Sequence, residues 1–145
     1  MKFIGIVVFA LILSGCASSK PISFSPNKEY SVSVQSSVFD TVRIDNNDTT
    51  LFLDGKSIGF IRVEPVPEGA SSAADFLNAL RSSSESDTVT TKSLSFPAGF
   101  SGFAAKNRNY LTGYLFNERN SGSVLIFSFP EDEFDQIAET VSRGI

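Results

Sequence analysis

The stretch TTLFLDGKSIGFIRVEP, residues 49–65, sets Asp54 and Gly55 between two runs rich in β-branched, aliphatic and aromatic side chains. Asp-Gly in that setting is a strong short-range signal for a type I′ hairpin, because both residues tolerate positive φ and the primed turn matches the twist of the flanking strands. Counting back from the turn, Leu53 faces Lys56 and Leu51 pairs with Ile58. That register predicts one shared sheet face for Leu51, Leu53, Ile58 and Phe60. Pro65 and Pro67 end the ladder, since neither can donate a backbone N–H.

The pattern continues on both sides of this hairpin. In YSVSVQ, residues 30–35, Tyr30, Val32 and Val34 alternate with Ser31, Ser33 and Gln35, as in a half-buried strand. FDTVRI, residues 39–44, carries Val42 and Ile44 into a second strand that DNND, residues 45–48, closes as a turn. Downstream, SSAADFLNALRSS, residues 71–83, begins like a capping box at Ser72, and Ala73, Phe76, Leu77 and Leu80 have helical spacing. A polar loop is expected over residues 81–92. A β-rich portion follows from Ser93 through SFPAGFSGFAAK, and then NYLTGYLF and SVLIFSF form a hairpin about the turn NERNSG. In PEDEFDQIAETVSRG, residues 130–144, Phe134, Ile137, Ala138 and Val141 make a helical stripe. Acidic residues crowd its first turn, Arg143 lies in its last, and Gly144 is the expected stop. Strands followed by a helix, twice over, predict a single α+β domain over residues 30–145. Its expected architecture is an antiparallel sheet with two helices packed on one face.

The first residues read differently. Phe3–Leu13 is an uninterrupted apolar run behind Met1 and Lys2. As a helix it would reach only about 16 Å, against a hydrocarbon core of roughly 30 Å, so it suits an export signal rather than a mature span. LSGC, Leu13–Cys16, follows, and Cys16 is the single cysteine of the 145-residue chain. The four residues resemble the lipobox of bacterial lipoproteins: an aliphatic residue, two small ones, then the cysteine. That resemblance implies cleavage after residue 15 and a diacylglycerol on the Cys16 sulfur, with a further acyl chain such as palmitate on the new amine. Thioether formation needs a thiolate. Two or three chains anchor stably where one gives only reversible binding. Residues 1–15 are therefore expected to be a signal peptide and residues 16–29 a lipidated N-terminus and tether rich in Ser, Pro and Lys, although Phe24 can dock on the domain and start the ordered part earlier. In the enterobacterial lipoproteins that this stretch resembles, a residue such as Ala17 in place of aspartate leaves outer-membrane sorting open, so the resemblance implies an outer-membrane anchor facing the periplasm in a Gram-negative host.

Composition excludes much chemistry. With no histidine and one cysteine, Ser-His-Asp and Cys-His catalysis are excluded, as are zinc sites built from His or Cys. Cleavage after residue 15 removes Lys2 and moves the formal charge from −4 to −5, which disfavours nucleic acid as a partner. DNND and EDEFD, residues 131–135, lack the spacing of an EF-hand loop. SPNK, Ser25–Lys28, matches S-x-x-K, but a strand pattern follows it at once where the motif needs a helix. Glu64 and Glu68 flank the strand exit at Pro65 and Pro67, and nothing selects them as a hydrolytic pair. Of fourteen phenylalanines, Phe96, Phe100 and Phe103 sit among small residues, either as core with bends at Gly99 and Gly102 or as an exposed apolar loop; the core is the preferred reading.

The order of elements resembles the PsbP-like superfamily, which includes the DcrB-like envelope lipoproteins. The resemblance is carried by FSPNKEYSV, GFIRVEPVPEGASSAADFLNAL, FPAGFSGFAA and LIFSFPEDEFDQIAETV, within about residues 22 to 143. It implies a binding or assembly factor rather than an enzyme, and any histidine-dependent metal site of photosynthetic relatives has no counterpart here. The expected protein is held to the membrane through Cys16 and binds an envelope partner, with no catalytic residue, metal or cofactor. An immunity or inhibitor protein and a carrier of a hydrophobic ligand are the alternatives.

Overall fold

The computed structural model describes residues 21–143 except 36, 37, 47 and 87. The export signal, Cys16 and Gly144 lie outside the described residues. In chain order the elements are β1 (Pro21–Phe24), β2 (Tyr30–Gln35), β3 (Thr41–Asp45), β4 (Asp48–Leu53), β5 (Lys56–Pro65), α1 (Ala73–Ser84), β6 (Thr90–Phe96), β7 (Phe100–Asn107), β8 (Tyr110–Asn117), β9 (Asn120–Pro130), α2 (Glu131–Ala138) and β10 (Ser142–Arg143). The fold is α+β and mostly sheet. Seven strands form an antiparallel sheet in the order β3-β4-β5-β9-β8-β7-β6, and β1-β2-β10 form a small second sheet.

The central hairpin forms about Asp54 and Gly55, whose φ values of 51° and 72° are the positive pair that the Asp-Gly signal demands. Leu53 pairs with Lys56 as expected, but Leu51 pairs with Gly59 rather than Ile58. A bulge inserts one extra residue on β5, and beyond it the register differs by one, which moves alternate side chains to the other face. Thr49, Leu51, Gly59, Ile61 and Val63 are therefore the buried set, whereas Phe60 faces the other side of the sheet and Leu53 is exposed.

The two helices lie on opposite faces of the large sheet, not on one. Leu125, Phe127 and Phe129 of β9 pack with Phe134, Ile137 and Ala138 of α2 and with Tyr30, Val32 and Val34 of β2. Val124 and Ile126, pointing the other way, pack with Phe76, Leu77 and Leu80 of α1. The central strand is apolar on both sides, so each side needs a cover. α2 and the small sheet provide one, and α1 provides the other.

Three expected boundaries shift for identifiable reasons. Pro21–Phe24, expected as tether, pairs with β2 from Pro21↔Gln35 to Phe24↔Val32, and Phe24 packs against the core. α1 extends to Ser84 into the expected loop, where the hydroxyls of Ser82, Ser83 and Ser84 donate to the carbonyls of Asn78 and Leu80. α2 stops at Ala138, before Val141 and Arg143. Thr140 is taken by β2 instead: its hydroxyl donates to the Ser33 carbonyl at 2.7 Å and accepts from the Ser33 amide at 3.0 Å. Ser142 and Arg143 then pair with Ser31 and Tyr30.

Ser72 is the N-cap of α1, accepting from the Asp75 amide at 3.1 Å. Ser72→Ala is expected to lower stability by about 1 kcal/mol, read as a shift of the urea midpoint without a change in slope.

Candidate functional site

Several of the acidic residues singled out from sequence are engaged within the fold. Asp45 and Asp48 close the β3–β4 turn opposite one another. Asp48 accepts from Arg62 at 2.5 Å, and Glu64 accepts from the same guanidinium at 3.3 Å. Those two hydrogen bonds, from Asp48 first and then Glu64, raise the Arg62 pKa and hold its charge. Glu64 is thus an ion-pair partner beside Arg62, and Glu68 is exposed in the turn after Pro67. Among the described residues no three Asp, Glu, Cys or His side chains converge as they would around a metal ion. Ser25 and Lys28 lie in the irregular link between β1 and β2, where Asn27 accepts from the amides of Glu29 and Tyr30. No helical turn brings serine and lysine together there.

The phenylalanine segment is core. Phe100 and Phe103 are 1% and 2% exposed, and Phe96 packs half-buried against the main core. Phe100 and Phe103 are an odd number of residues apart in one strand, so they serve opposite faces. Phe100 lies 6.0 Å from the Tyr30 ring, and Phe103 stacks on Tyr114 at 4.9 Å beneath α1.

The buried polar link joins β2 to β9. The Tyr30 hydroxyl donates to the Ser123 carbonyl at 2.8 Å, and the Ser123 hydroxyl donates to the Glu29 carboxylate. Burial raises the Tyr30 pKa, and the nearby Glu29 carboxylate adds to that, against the opposing pull of Ser123. The neutral phenol is therefore a lasting donor. This arrangement pins the small sheet to the large one.

Two of the clefts among the described residues set apolar side chains beside charged ones. The first, about 280 Å³, lies between α1 and the β6–β7 hairpin, with Leu77, Phe103 and Phe116 beside Arg81 and Ser93. Arg81 already bonds Thr91 and Ser93 at 3.0 and 2.9 Å. The second, about 190 Å³, is bounded by Val38, Leu53, Ile58 and Pro130, with Asp132 and Glu133 at its edge. It forms where three local events meet. The β5 bulge places Ile58 at the core margin, the Asp-Gly turn exposes Leu53, and Pro130 ends β9 at the first turn of α2. Hairpin tip and helix start are far apart in sequence, so only β5–β9 pairing brings them together.

Comparison with protein-family models and with curated proteins gave no match for this chain.

Proposed function

We propose that this protein is a lipid-anchored lipoprotein of the bacterial envelope, with a PsbP-like domain, that works by binding another envelope component and carries out no reaction of its own. The observation that carries the reading is Leu13–Cys16 directly behind the Phe3–Leu13 run. Because β1 begins at Pro21, only residues 17–20 separate Cys16 from the fold. At about 3.5 Å per residue they reach roughly 14 Å, so an acylated Cys16 would hold the domain close against the bilayer. A partner bound by this domain would then be sought at the membrane surface, the outer membrane in a Gram-negative host.

Replacing Cys16 tests this directly. Cys16→Ala is expected to abolish incorporation of labelled palmitate, leave the export signal uncleaved by the lipoprotein route and change the mobility of the protein on a denaturing gel. A variant that still takes up label and migrates like the native protein would overturn the anchor.

A further inference from the structure

We propose that the cleft at the tip of the β4–β5 hairpin docks a polypeptide segment of another envelope protein, one that sets an aliphatic side chain beside a lysine or arginine; this rests on the binding role proposed above. Val38, Leu53, Ile58 and Pro130 give the cleft an apolar floor, and Leu53 is 39% exposed at its mouth. At about 190 Å³ it is smaller than the roughly 300–1,000 Å³ of pockets that enclose whole small molecules. A single branched side chain suits it better than a free hydrophobic ligand.

The charge at its edge selects the neighbour of that side chain. Four carboxylates lie on α2, and two of them are paired: Glu131 with Lys106 at 2.6 Å and Asp135 with Lys92 at 2.7 Å. Asp132 and Glu133 are the two at the cleft, and no lysine or arginine among the described residues pairs with either. The positive end of α2 stabilises carboxylates in its first turn, but it does not cancel the field they present outward. An apolar floor edged by two unpaired anions complements an aliphatic residue flanked by a cation. It repels an anionic lipid surface, and a second copy of this chain, acidic overall with a formal charge of −4 before loss of Lys2, is a poor match.

Position adds a third argument. Pro21 pairs with Gln35, and the Val38 amide donates to the Gln35 carbonyl at 3.1 Å. Val38 thus lies one turn from the point where the chain from Cys16 joins the fold. The cleft is at the anchored end, within reach of the membrane-proximal part of a partner.

The test uses the full-length chain in cells, with benzoylphenylalanine at position 53. Irradiation is expected to give one protein adduct whose crosslinked peptide carries a lysine or arginine next to the attachment point. Reversing the edge charges with Asp132→Lys and Glu133→Lys is expected to cut the adduct about tenfold or more. Changing the partner's basic residue to glutamate should restore it. The milder Asp132→Asn with Glu133→Gln, which changes charge without changing shape, should give a smaller loss and keeps the test valid if the reversed variant misfolds. An adduct to lipid or to a second copy, a crosslinked peptide without a basic residue, insensitivity to charge reversal, or no adduct at all overturns the proposal. Membrane fractionation of the same cells separates the two readings. A protein that pellets with membranes through Cys16 yet gives no adduct retains the anchor and loses the docking site.

Discussion

Phe134→Ala is expected to lower the unfolding free energy by about 3–5 kcal/mol, a large part of the ~5–15 kcal/mol that holds a domain of this size together. Phe134 is fully buried and stacks on Phe127 with ring centroids 4.9 Å apart and planes 13° from parallel. Its ring also fills the space over Gly113, where an added Cβ would lie 2.9 Å from Cζ. Truncation removes the contact that seats α2 on the sheet and leaves a cavity whose far wall is β-sheet, which cannot collapse to fill it. Chemical denaturation followed by circular dichroism reads the loss. A change below about 1 kcal/mol would mean that α2 is not packed on Phe127 as described.

Gly102→Ala is the second large effect. Gly102 lies in β7 opposite Leu115 of β8 on one side and Leu94 of β6 on the other. A Cβ built there falls 1.9 Å from the Tyr114 carbonyl oxygen and 3.1 Å from the Leu115 Cα. Both are backbone atoms, so no rotamer change relieves the contact and β7 must move away from β8. Overpacking usually costs about 1–3 kcal/mol, and a clash with sheet backbone belongs at the upper end or beyond. The thermal midpoint measures it, and an unchanged midpoint would contradict the close approach of the two strands.

Much of the fold was legible because it is written in short-range patterns. The Asp54-Gly55 turn, the alternation of residues 30–35, the Ser72 cap and the apolar stripe of residues 134–138 each act within a few residues, and each appears where the sequence reading put it. The helices take opposite faces rather than the expected single one, and VLIF, residues 124–127, is the reason: a strand apolar on both faces has to be covered on both. The register after the bulge was not legible, because Ile58 is as suitable as Gly59 to face Leu51 until Phe129 is known to lie over Gly59. The early stop of α2 had no local signal either. Thr140 leaves the helix for Ser33, a partner more than a hundred residues away.

The same division governs function. Sequence alone gives an apolar run, Phe3–Leu13, closely followed by the single cysteine Cys16, and a composition with no histidine to support His-dependent catalysis or a His-built metal site. Those are statements about composition and adjacent residues, so no folding is needed to read them. The tertiary structure is what shows that Phe100 and Phe103 are core, that Glu64 is engaged by Arg62, and that Asp132 and Glu133 stand at an apolar cleft beside Leu53 and Val38 with no cationic partner among the described residues. Each of these depends on which distant strands pair and in what register, and a displacement of one residue would put a different side chain at every one of those positions.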